Sequence, residues 1–194
     1  MNLVTLPASG RVGERRLDFT VEPARAIHLP EMAAIYREQV AAGLGSFEDP
    51  LPDAAELGRR LAAVADAGLP AYVAIDGDGR VLGFCWARPF RAIAAYRATV
   101  EDSIHVASDA RRHGVGRTLL EALIAACVQL DCRQMIAVVG DARNLASVRL
   151  HESLGFKAVG YLPNAGRKPG GPVDVVLLQR SLDVACPASA RARC

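Results

Sequence analysis

Residues 99–120, TVEDSIHVASDARRHGVGRTLL, constrain the fold more tightly than any other stretch of the chain. The opening segment alternates: Val100, Ile104 and Val106 point one way while Thr99, Glu101, Ser103 and His105 point the other, which is the period of a strand. A turn follows, and Arg-x-x-Gly-x-Gly then runs into Val115, Leu119, Leu120, Leu123, Ile124 and Cys127, spaced as the apolar stripe of a helix. A helix start leaves backbone N–H groups unpaired and carries a partial positive charge. Gly114 and Gly116 let a ligand approach that backbone without Cβ interference, and Arg111, Arg112 and Arg117 add full charge. The stretch therefore reads as a pyrophosphate site, although taken alone it also suits a tight turn with solvated arginines. It is neither a Gly-Lys-Ser/Thr phosphate loop nor a GxGxxG dinucleotide fingerprint.

The remaining segments supply a domain around this unit. A strand is expected at 18–22, then a helix with Leu29, Met32, Tyr36 and Val40 on one face. Pro52 and Asp53 open a second helix, carrying Leu57, Leu61 and Val64. Asp76-Gly77-Asp78-Gly79 marks the turn of a β-hairpin. "MIAVV" suits a short strand covered on both faces. "NLASVRLHESLGF" is a helix ended by Gly155, and residues 156–182 read as two strands around a Gly/Pro-rich loop, "PNAGRKPGGP". The order implies an α/β fold with helices flanking a mixed sheet. Residues 1–16 read as a loose arm, 17–182 as one domain and 183–194 as a disordered tail.

The 194 residues are 51% apolar with a net charge of +2, which gives no basic stripe for nucleic acid and no preference for a membrane surface. No apolar run reaches the roughly 18–20 residues of a membrane span. The short apolar piece near the start has no basic residue before it, so a cleaved secretory leader is not expected. The five cysteines form no CxxC and have no histidine at zinc-ligand spacing; Cys85 and Cys127 read as small buried thiols in a reducing cytoplasm.

With the glycine loop in place, the chain resembles the GNAT acetyltransferase superfamily, whose cofactor motif is Gln/Arg-x-x-Gly-x-Gly/Ala after a central strand. "YRATVEDSIHV", "GRTLLEALI", "MIAVVGDARNLASVRLHESLGF", "DVVLLQRSL" and "GSFEDP" together look like its phosphinothricin / methionine sulfoximine N-acetyltransferase branch, over residues 18–182. The resemblance implies a GNAT fold with a mixed, mostly antiparallel central sheet, acetyl-CoA as co-substrate, no metal, a small-molecule amine acceptor and a homodimer paired through the C-terminal strands.

The resemblance also assigns residues. Acetyl-CoA would lie along Ile104, His105 and Val106, its phosphates on Arg112, His113, Gly114, Val115, Gly116 and Arg117, with a further contact at Asn144. Asn144 reads equally well as a helix N-cap. An α-amine is mostly protonated at neutral pH, so attack on a thioester needs a base; Glu101 matches the base of the family's "TVE" motif. Its bland reading is a solvated glutamate. A backbone N–H near Val106 would hold the oxyanion. His151 stands where many members carry the tyrosine that protonates the leaving thiolate, and serves either as that acid or as a packing residue. For an acceptor carboxylate the candidates are Arg88, Arg91, Arg97 and Lys168, with Tyr96 and Phe47 as walls. His105 stands where the branch usually has tyrosine, and Gly166-Arg167-Lys168 with Gly170-Gly171-Pro172 replaces an aromatic late loop, so a reshaped, more cationic pocket for a small anionic amine is expected. The competing readings are an acetyltransferase for another small amine or a protein N-terminus, and a non-catalytic acetyl-CoA sensor.

Overall fold

The structure is a computed structural model that describes residues 17–41, 51–141, 143–168 and 171–182. The expected arm, tail and Phe47 lie outside these residues. The chain runs β1 (Phe19–Pro23), α1 (Leu29–Ala41), α2 (Ala54–Asp66), β2 (Ala71–Asp76), β3 (Val81–Pro89), β4 (Thr99–Val106), α3 (Val115–Gln129), β5 (Gln134–Gly140), α4 (Leu145–Ser153), β6 (Lys157–Lys168) and β7 (Gly171–Ser181). The strands form a seven-stranded sheet in the order β1-β2-β3-β4-β5-β7-β6. Every pairing is antiparallel except β4 with β5.

Local chemistry sets the ends of these elements. The Asp53 side chain caps α2 by accepting from Glu56 N–H at 2.7 Å. Asp76 closes the β2–β3 turn by accepting from the backbone of Asp78 and Arg80. The core fills both sides of the sheet: Met32 and Tyr36 of α1 and Leu57 of α2 are buried, as are Leu119, Leu120 and Leu123 of α3 and Phe84, Val100 and Met135 of the strands. Cys85 sits under α3, its thiol 3.5 Å from Leu119 O, and faces the same way as Ile104, its cross-strand neighbour. Ile104 and the residues alternating with it thus face α3, while Glu101 and His105 face α1 and α2.

Two sequence expectations are corrected. The β5 strand is not covered on both faces: Met135, Ala137 and Val139 are buried, but Val138 is 42% exposed, because that face borders an open cleft. The "PNAGRK" segment is not a loop. It continues β6 as far as Lys168, and register shifts at 158/160 and 162/166 absorb the extra residues as bulges in a long hairpin with β7.

Candidate active site

The site begins where the sheet comes apart. β4 and β5 pair over only four positions, from Thr99↔Gln134 to Asp102↔Ala137. Beyond that vertex β4 continues to Val106 bonded to β3 alone, and β5 continues to Gly140 bonded to β7 alone. The parting opens a cavity of about 1380 Å³, lined from both faces of β4. That exceeds the usual 300–1,000 Å³ of a small-ligand pocket and suits a long, extended substrate beside a second one.

One end of the cavity is the glycine loop. The first backbone bond of α3 runs from Thr118 N–H to Gly114 O, so the amides of Val115, Gly116 and Arg117 have no acceptor within the helix. Gly114 adopts φ +87° and Arg112 φ +65°, a left-handed backbone that is costly for the arginine and turns the loop around the helix start. A Cβ on Gly116 would sit 3.3 Å from Leu150 Cδ2 and 3.4 Å from Val106 Cγ2, so glycine allows α3 to begin this close to β4 and α4. Arg111, Arg112, His113 and Arg117 border the same opening. Free amides, a helix dipole and arginine charge fit the diphosphate of a coenzyme A thioester.

Asn144 is the N-cap of α4, its side chain accepting from Ser147 N–H at 3.3 Å, and it also lines the cavity. Ile104, His105 and Val106 form the wall toward α1 and α4, and Gln39 of α1 reaches in to donate from Nε2 to Val106 O at 2.9 Å.

At the vertex stand consecutive carboxylates on opposite faces. Glu101, 8% exposed, faces α1 and α2 and is ion-paired with Arg88, its direct cross-strand neighbour. Asp102 faces α4 and accepts from His151 Nε2 at 3.0 Å, with both side chains only 2% exposed. The other ring nitrogen of His151, Nδ1, donates to Ser147 O at 2.8 Å, and the ring meets Phe156 edge-on. Burial pushes the His151 pKa down, but the hydrogen bond and charge of Asp102, with the Ser147 carbonyl, push harder and leave it raised. His105 has the opposite fate. It lies against Tyr36 and Phe84, its Nδ1 is 2.9 Å from Gln39 Oε1, and burial with the Arg60 charge lowers it to about 4.

The structure separates the candidate acceptor-binding residues. Arg88 lines the cavity. Arg91, Tyr96 and Arg97 do not: the segment between β3 and β4 carries them to an exposed edge, where Arg91 lies 4.3 Å over the Phe90 ring and Tyr96 packs edge-on to the same ring. Lys168 is also outside the lining, 4.0 Å from Asp141, a carboxylate that Arg143 holds down at about 2. Arg60 and Asp102 line the cavity and are absent from the sequence reading. Arg60 reaches the site from α2, a tertiary approach with no local signature. Asp102 carries a signal: it is a carboxylate on the strand face shared by Val100, Ile104 and Val106, and a buried acid among apolar residues requires a partner.

A sheet split between its parallel strands over a glycine-rich helix start fits a transferase that uses an acyl-CoA-type substrate. The pattern described as the Acetyltransferase (GNAT) family matches residues 32–156, and the chain belongs to that family. It is 46% identical over 181 residues to the phosphinothricin N-acetyltransferase of Alcaligenes faecalis, covering 92% of this chain and 91% of that one. It is 34% identical over 164 residues to the L-methionine sulfoximine/L-methionine sulfone acetyltransferase of Pseudomonas paraeruginosa, covering 84% and 95%. Among solved structures, a GNAT phosphinothricin acetyltransferase from Sinorhizobium meliloti in complex with AcCoA superposes with a TM-score of 0.80 at 39% identity, covering 84% of this chain and 88% of that one. The chain is accordingly an N-acetyltransferase with a GNAT fold.

Proposed function

We propose that the protein transfers acetyl from acetyl-CoA to the amine of an amino acid or amino-acid-like compound of the phosphinothricin or methionine sulfoximine type, with Glu101 as general base. The observation that carries this reading is the position of Glu101: a shielded carboxylate at the vertex of the cleft, on the face opposite the glycine loop's helix, ion-paired with Arg88 and sharing the cavity with Arg60, which is paired with Glu56. An acceptor entering from that face meets a base for its ammonium and arginine charge for its carboxylate. Arg88 also orients Glu101. The acetyl group comes from the other face, with the phosphates of its carrier on the amides of Val115, Gly116 and Arg117 and its arm along the free edge of β4. Direct attack by the amine forms the C–N bond, and a backbone N–H of β4 near Val106 stabilises the oxyanion.

The names of the relatives support the acceptor class, and His105, in place of the branch's tyrosine, tunes it. A homodimer through β6 fits the same reading: this edge strand exposes Val159, Tyr161 and Leu162, a surface that a second copy would cover. A cytoplasmic location is part of the same reading, supported by the use of acetyl-CoA, a cytoplasmic metabolite. The test is coenzyme A thiol release from acetyl-CoA with a panel containing phosphinothricin, methionine sulfoximine and ordinary amino acids. Turnover is expected on at least one of the first two, with kcat reduced by roughly 10²–10⁴-fold in Glu101→Gln, the range a lost general base explains. Turnover on the panel that Glu101→Gln leaves intact removes Glu101 from the mechanism.

A further inference from the structure

Glu101 accounts for a proton leaving the amine; nothing yet accounts for the proton that the departing sulfur must gain. His151 is the residue expected to act there, yet neither of its ring nitrogens is free, since Nδ1 faces the Ser147 carbonyl and Nε2 faces Asp102 Oδ2. A carbonyl only accepts, so Nδ1 carries a hydrogen. Nε2 faces a carboxylate, and one proton must lie between them, because a bare nitrogen lone pair against a bare carboxylate is repulsive. The second carboxylate oxygen, Asp102 Oδ1, is buried with no hydrogen-bond partner among the described residues, and Asp102 itself lines the cavity at the last paired position of β4 and β5. A buried, unsatisfied acceptor at the vertex indicates that this carboxylate is kept for something other than packing.

We propose that Asp102 is a positioning residue that keeps a proton on His151 Nε2, making the Asp102–His151 pair the proton store on the coenzyme side of the cleft, opposite Glu101. The inference rests on the acetyl-transfer reading above. The balance is simple. The acceptor ammonium loses one proton to Glu101, the amine nitrogen bonds to the acetyl carbon, and the C–S bond breaks with its electron pair remaining on sulfur. Sulfur takes the shared proton from the pair. The lone pair then left on Nε2 faces the Asp102 carboxylate, and the pair recovers its proton from the amine nitrogen, which is positively charged once bonded to the acetyl carbon and becomes the neutral amide by losing that proton. The ammonium gives up two protons in all, one ending on sulfur and one leaving through Glu101 to solvent.

Among the described residues, the groups facing the His151 ring are the Asp102 carboxylate from β4, the Ser147 carbonyl and, at 3.5 Å from Nδ1, the Ser147 hydroxyl from α4, and the edge of Phe156. Asp102 is the charged one among them, so Asp102→Asn tests it directly. The expected result is a kcat 10- to 100-fold below wild type with KM for acetyl-CoA within threefold, and an alkaline limb of the kcat–pH profile displaced to lower pH. A structural role alone would change the melting temperature and KM without moving that limb. In parallel, nitrogen-15 chemical shifts of the wild-type histidines, assigned with His151→Gln, are expected to show both His151 nitrogens protonated at pH 7. This measurement needs neither the variant nor turnover. A pyridine-like Nε2 at pH 7, or a folded Asp102→Asn enzyme with an unmoved alkaline limb, overturns the proposal. No turnover by the wild-type protein on any amine would overturn the acetyl-transfer reading and this inference together. Wild-type turnover with an unmoved limb would overturn this inference alone.

Discussion

His105 and His151 both meet β4 away from solvent, one on the α1–α2 face and the other beneath the strand on α4, and their chemistries diverge. His105 lies among Tyr36, Phe84 and the Gln39 amide and is held at about 4, because burial and, secondarily, the Arg60 charge both oppose its protonation. Burial acts on His151 as well, but Asp102 reverses it and its affinity for a proton rises. Gln39 also fixes which nitrogen of His105 carries hydrogen: its Nε2 donates to the Val106 carbonyl, so its Oε1 faces Nδ1 and Nδ1 must be the donor. One face of the strand therefore carries a neutral imidazole, and the other carries the imidazole proposed above to store a proton for the leaving group. A buried histidine is not one kind of object; what it does is set by whether a carboxylate, an amide or a ring comes within reach.

The contrast can be broken most severely from the α4 side. Replacing His151 with leucine leaves Asp102 as a buried, uncompensated acid, and a loss of about 3–5 kcal/mol in urea unfolding is expected. Next comes the pH dependence of stability. His105 binds a proton more readily unfolded than folded, so its contribution is present above pH 6.5 and is lost as the pH falls toward 4. That loss is on the order of 2 kcal/mol between pH 7 and 5, and His105→Phe should remove it. His151 acts with the opposite sign, stabilising fully below 6.5 and losing that contribution as the pH climbs through its raised folded value. His151→Gln should therefore flatten the alkaline side, while the wild type shows a maximum between the two limbs. The mildest break is Gln39→Leu, which leaves His105 Nδ1 without its acceptor and the Val106 carbonyl with only the 3.5 Å bond from Arg111 Nε, and should cost about 1 kcal/mol, read by thermal unfolding.

What could be read from the sequence was what is local. The strand–loop–helix of residues 99–120 is contiguous, so its glycines, arginines and the alternation placing Glu101 opposite Val100 lie side by side on the page. The cap formed by Asn144 is legible because it reaches only to Ser147. Arg91, Tyr96 and Arg97 show the limit: they precede Glu101 by only four to ten residues, yet the excursion between β3 and β4 carries them away from the cavity, whereas Arg60, forty-one positions before Glu101 in the numbering, comes to it across the packing of α2. The late loop misled for another reason. Proline and glycine usually end strands, but a hairpin edge tolerates bulges, and the β6–β7 pairing runs past them.

The short ladder between β4 and β5 has a consequence for how the molecule protects itself. Past Asp102 and Ala137 the two strands are edges, each with a row of hydrogen-bonding groups facing the gap. On the outside of a protein such rows invite a stranger's strand and are usually blunted with charge, proline or a bulge. Here they border the cleft, with α1 and α4 as walls, so the gap in the sheet opens into the cavity. Whatever thin, amide-bearing chain enters that seam is treated as a missing strand: it knits two half-sheets into one, and by mass action it should slow the opening of both.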